Sequence, residues 1–122
     1  MREVEPPTLA MTEPPARTGV RLTLGRNVLA LATWVLVIGV VVQVFLAGLG
    51  VFRSPADFET HRNFGYLLGI VAILLTILAF VVGATRLQRS LGIALIVLFI
   101  LQSVLVQLRT TSPEIAALHP VN

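Results

Sequence analysis

The sequence predicts an all-α integral membrane protein, a helical bundle in which three transmembrane helices of a four-helix-bundle plan are visible. Three observations carry that prediction. Apolar residues make up 56% of the 122 positions and charged residues only 12%, far from the balance of a water-soluble domain. Three apolar runs come close to or exceed the roughly twenty residues that a membrane span needs. A short polar motif in the middle of the chain also returns near its C-terminus, at the spacing expected of two similar helix starts.

Residues 1–27 hold Pro6-Pro7 and Pro14-Pro15, three glutamates and four arginines. Paired prolines interrupt regular helix and the composition suits a disordered N-terminal tail. The first span is expected at 28–52, opening a transmembrane domain that covers 28–122. At 25 residues the run exceeds the roughly 7–15 apolar residues of a signal peptide, so it is read as a retained helix with Trp34, Gly39 and Gln43 inside it. Ser54-Pro55-Ala56-Asp57 then reads as a helix start, with serine as N-cap, proline at the first helical position and an acid in the first turn. The second span is expected at 64–84, with Tyr66 as an interfacial anchor. A short connection, 85–90, carries Arg86 and Arg89 and leads into a third span at 91–108. Ser112-Pro113-Glu114 repeats the helix start, giving a short C-terminal helix start over 113–119. A fourth span is expected to continue beyond Asn122.

All nine basic residues are arginines and net charge is +3. They sit at the ends of apolar runs without forming a dense patch, which argues against nucleic acid as a partner. Arg17, Arg21, Arg26, Arg86 and Arg89 fall on one side, and Arg53, Arg62 and Arg109 on the other. The excess predicts a plasma (inner) membrane protein with a cytoplasmic N-terminus. The absence of cysteine excludes disulfides, thiolate metal sites and covalent haem attachment.

The repeat holds the candidate chemistry. Ser54-Pro55 is followed after five residues by His61, and Ser112-Pro113 after five residues by His119. Gln43 and Gln102 lie in the preceding apolar runs, ten residues before Arg53 and Ser112. Two spans separate the histidines, so both belong to one membrane face. Imidazole is an axial ligand for haem iron, and two on one face can supply both axial positions. The competing reading makes them interfacial histidines bonded to water or lipid headgroups. Gly65 and Gly69 share a helical face with His61, either as a flat recess for a macrocycle or as a small-xxx-small motif for helix packing. Gln43 and Gln102 need partners in hydrocarbon, either across helices or lining a polar cavity. Asp57, one turn before His61, is a candidate to hold its second ring nitrogen, with a backbone carbonyl as the alternative. Nothing forms a hydrolytic triad, a phosphate loop or a divalent-metal cluster, which leans against an enzyme.

The stretches Gln43-Val-Phe-Leu-Ala-Gly-Leu-Gly50, Glu59-Thr-His61-Arg62-Asn-Phe-Gly65 and Pro113-Glu-Ile-Ala-Ala-Leu-His119 resemble one four-helix half of haem A synthase. They also resemble a group of small, uncharacterised bacterial multi-pass membrane proteins that share the ending Leu-His-Pro-Val-Asn. The first resemblance implies that His61 and His119 match haem-ligand positions. It departs at Phe58, where that family carries an acid. The function expected is therefore b-type haem binding through His61 and His119, for electron transfer or haem handling. The alternative is a cofactor-free accessory protein packed against a larger membrane complex or its own copies through Gly65 and Gly69.

Overall fold

The structure, a computed structural model, describes residues 16–122, with side chains from residue 22 onward, and is all-helical across them. Helix α1 spans Ala16–Phe52, α2 Phe58–Val81 and α3 Arg86–Gln107, and α4 is the single turn Pro113–Ala116. Short 3-10 turns at Pro55–Asp57 and Leu108–Thr110 lead into α2 and out of α3. Helices α1, α2 and α3 are long and apolar enough to cross a membrane, the mark of a membrane protein.

The N-terminal boundary differs from the sequence expectation. The disorder expected for residues 1–15 lies outside the described residues, but 16–27 belong to α1. The last proline before α1 is Pro15, and a proline just ahead of a helix removes no bond that the helix needs. At 37 residues, α1 is about 55 Å long, well beyond the roughly 30 Å hydrocarbon core. Its end therefore projects from the membrane.

The two connections are tight because each satisfies its own backbone. At the end of α1, the Leu49 carbonyl accepts from Arg53 N at 2.9 Å and Ser54 N at 3.2 Å. Ser54 Oγ then accepts from Ala56 N at 3.3 Å, with Pro55 next to it, so the expected helix start is formed. At the end of α2, Gly83 adopts a left-handed φ of 63°, which a side chain disfavours. Ala84 N bonds to Ala79 O and Gly83 N to Phe80 O, a Schellman pair that closes the helix. Thr85 starts α3 at once, in a capping box with Gln88. The connection expected at 85–90 is thus Val82–Thr85, and Arg86 and Arg89 lie in the first turn of α3. The Arg89 guanidinium sits 5.5 Å from the centre of the Phe80 ring.

Helix α2 is central. Its Leu68, Gly69, Ala72, Thr76 and Ala79 are buried and recur at helical spacing. Ala79 packs with Leu29 of α1 and with Ala84, while Thr76 faces Gly92 of α3. The Thr76 hydroxyl donates to Ala72 O at 2.8 Å, so no polar group is left open there. Helices α1 and α3 each lie against α2 but do not approach one another.

After α3 the chain turns back. Ser112 and Pro113 start α4, yet the helix stops after one turn and continues as turns to Asn122, with His119 N bonded to Ala116 O and Asn122 N to Leu118 O. The C-terminal helix start expected over 113–119 is helical at Pro113–Ala116 and passes into turns from there. His61 lies within α2, whereas His119 lies in a turn, because Pro120 cannot donate a helical hydrogen bond.

Candidate functional site

At the end of the molecule that carries the α1–α2 connection, four polar side chains from two helix-and-return units meet. Helices α1 and α2 are antiparallel across a five-residue connection, 53–57, which brings Gln43 level with His61. His61 Nδ1 lies 3.1 Å from the backbone oxygen of Gln43. A carbonyl only accepts, so Nδ1 carries the proton and Nε2 keeps its lone pair. The Gln43 amide nitrogen donates to the His61 backbone oxygen at 2.9 Å and lies 3.4 Å from His61 Nε2. Gln43 Oε1 is buried and has no hydrogen-bond partner.

The second unit repeats the pattern. The turns after α4 run back along α3 and bring His119 to Gln102. His119 Nδ1 is 3.1 Å from the Gln102 backbone oxygen, and Gln102 Nε2 is 3.3 Å from His119 Nε2. Here the amide oxygen is satisfied: Asn122 Nδ2 donates to Gln102 Oε1 at 2.9 Å and to Leu98 O at 3.0 Å.

The two imidazoles come together. Their ring centres are 6.4 Å apart with the planes at 80°, and both residues are half-buried. The Phe58 ring meets His61 edge-on at 6.2 Å, its side chain in turn filling the space over Gly50. Two neutral rings, each with one nitrogen tied to a carbonyl and the other bare, form a donor set suited to a transition metal. Iron, copper and zinc all accept imidazole. Among the described residues, no group of three or more His, Cys, Asp or Glu side chains could hold a metal ion, so any metal here relies on the two imidazoles and on ligands of its own.

The remaining candidates take other places. Asp57 is engaged by Arg53 through two bonds of 2.6 and 2.7 Å, and a backbone carbonyl orients His61. Gly65 faces the Gln43 amide, whose nitrogen would lie 2.8 Å from a Cβ at that position. Gly69 faces the Phe99 ring of α3, which leaves no room for a side chain. Both glycines are thus points where a neighbouring side chain settles on the α2 backbone.

Three residues take places at this site that the sequence reading had not given them. Phe58, three positions before His61, shares its helical face, a spacing that signals the contact. Phe99 has no local signal, since only the packing of α3 on α2 brings it to Gly69. Asn122 follows His119 by three residues, as a turn-forming residue would.

The profile of a family of unknown function, DUF6220, matches residues 43–111. That range includes Gln43, His61 and Gln102 and stops short of His119. No curated protein and no solved structure matches the chain, so the resemblance to haem A synthase gains no support from the comparisons.

Proposed function

The chain belongs to the DUF6220 family of unknown function, and we propose that it is a multi-pass plasma-membrane protein that binds one b-type haem between His61 and His119, as an electron carrier or haem-handling partner. The observation that carries this reading is the ring separation. The His61 and His119 rings meet with 6.4 Å between their centres, near enough that both could hold one haem iron. Both rings have Nδ1 tied to a carbonyl, the arrangement that leaves Nε2 available and raises its basicity as a ligand.

Within this reading the chain's own residues have distinct tasks. The Gln43 and Gln102 carbonyls orient the rings, and the two side-chain amides cover Nε2 until a metal replaces them. Phe58 shields the His61 ring edge. Haem iron held by two histidines supplies one-electron chemistry. Arg17, Arg21, Arg26, Arg86 and Arg89 belong to the end away from the histidines, against Arg53, Arg62 and Arg109 at theirs, an excess that by the positive-inside rule favours a haem near the outer face. Helices α1 and α3 both lie against α2 without touching one another, as diagonal members of a four-helix bundle do.

Protein expressed with ample haem and purified in detergent should show the Soret band of six-coordinate, low-spin haem. His61→Ala and His119→Ala should each lose most of it. Colourless wild-type protein rejects this reading and leaves the accessory, packing role.

A further inference from the structure

The hydrogen bonds of the second unit form a chain whose direction is fixed from outside. The Leu98 carbonyl can only accept, so the Asn122 amide must turn its nitrogen toward α3. One Asn122 proton goes to Leu98 O at 3.0 Å and the other to Gln102 Oε1 at 2.9 Å. With its oxygen so occupied, the Gln102 amide has its nitrogen toward His119 Nε2, at 3.3 Å. That nitrogen donates, so Nε2 must be bare. The ring proton therefore sits on Nδ1, which gives it to Gln102 O at 3.1 Å. Reversing the Gln102 amide would set Oε1 against the bare Nε2 and the amide nitrogen against that of Asn122.

We propose that Asn122 is a positioning residue which, by orienting the Gln102 amide, reinforces the hold of the Gln102 carbonyl on the Nδ1 proton of His119 and keeps Nε2 bare. The inference deepens the haem reading and rests on it only for the consequence at the metal, where a bare Nε2 is the form that ligates. In the first unit no side chain plays this part. Gln43 Oε1 has no partner, and the direction is set by the backbone oxygens of His61 and Gln43 alone.

The test uses haem-free, full-length protein in detergent, with ¹⁵N-labelled histidine and the two rings assigned through His61→Ala. Asn122→Asp keeps the size of the side chain but only accepts. It should draw the Gln102 nitrogen to itself and turn Oε1 toward His119. The ratio of Nε2–H to Nδ1–H forms at His119 should then rise at least about fivefold, the worth of one ordinary hydrogen bond, with His61 unchanged. Asn122→Leu, which keeps the volume and removes both donors, should shift His119 the same way by less. An unchanged His119 ratio in both variants overturns the proposal, as does an equal shift at both histidines, which would mark general loosening. Colourless wild-type protein would reject the haem reading without altering this measurement.

Discussion

In the first unit the Gln43 amide leans on the backbone of the histidine it faces, while in the second the Gln102 amide is held from behind by Asn122. The anchoring of the rings is the same, 3.1 Å from Nδ1 to a glutamine carbonyl in both. What differs is the fate of the second amide atom. The continuous helix α2 gives the first unit a rigid histidine and leaves Gln43 Oε1 stranded. The broken turns after α4 give the second unit a satisfied amide on a less regular backbone. A repeated sequence pattern has preserved the contact made by the ring and let its support diverge.

The largest effect that could break this comparison is at Gly65. Gly65→Leu should push the Gln43 amide off α2, destabilise the protein by about 1–3 kcal/mol as overpacking does, and disturb the His61 ring while His119 keeps its ¹⁵N signature. Thermal unfolding in detergent with the ring spectrum reads both. Next come the glutamines. Gln102→Leu strands Asn122 and His119 and should cost about 1–2 kcal/mol, whereas Gln43→Leu also removes an unpaired oxygen and should be near neutral. Equal losses on unfolding would erase the difference claimed for the two units. Thr85→Ala should cost about 1 kcal/mol by removing the cap of α3. Because that turn lies at the other end, both histidine spectra should stay as in wild type. The smallest effect is expected of Asp57→Asn, which breaks an exposed pair with Arg53. No change in haem content or unfolding should be detected; a lost Soret band would restore Asp57 as the residue orienting His61.

Run length alone made the three long helices legible, since hydrocarbon sets a minimum that composition either meets or does not. The Ser54-Pro55 start was legible for the same kind of reason, being a local chemistry of four residues. Thr85-x-x-Gln88 and Gly83 carried an equally local signal for the α2–α3 turn. The expected connection missed it because apolar run length, rather than capping, was used to place that boundary. Pairing was harder. The sequence set Gln43 and His61 in one membrane half, but their bond depends on the register of α1 against α2. The glycines were read as an open recess or a packing face, and only the fold shows Gln43 and Phe99 settled on them. Asp57 had a nearer cation in Arg53, four residues before it on the same side, and charge won over proximity to the ring. His119 looked helical because Ser112-Pro113 starts a helix well, while Pro120 limits how far that helix can run.

The α2–α3 turn bears on the order in which the protein is made. Its Schellman closure and capping box tie down the end of α2 and the start of α3 within ten residues, Ala79 to Gln88. A hairpin whose turn bonds most of its own backbone in this way can enter the bilayer as one unit, without waiting for a partner. Gln43 and His61 are 18 residues apart and both precede that turn, so the first ring can be seated while α3 is still being synthesised. The second ring is completed later, since His119 and the Asn122 that holds the Gln102 amide both follow α3. A nascent chain halted within α3 should already crosslink position 43 to position 61, which makes the His61 unit the template on which the rest of the site is assembled.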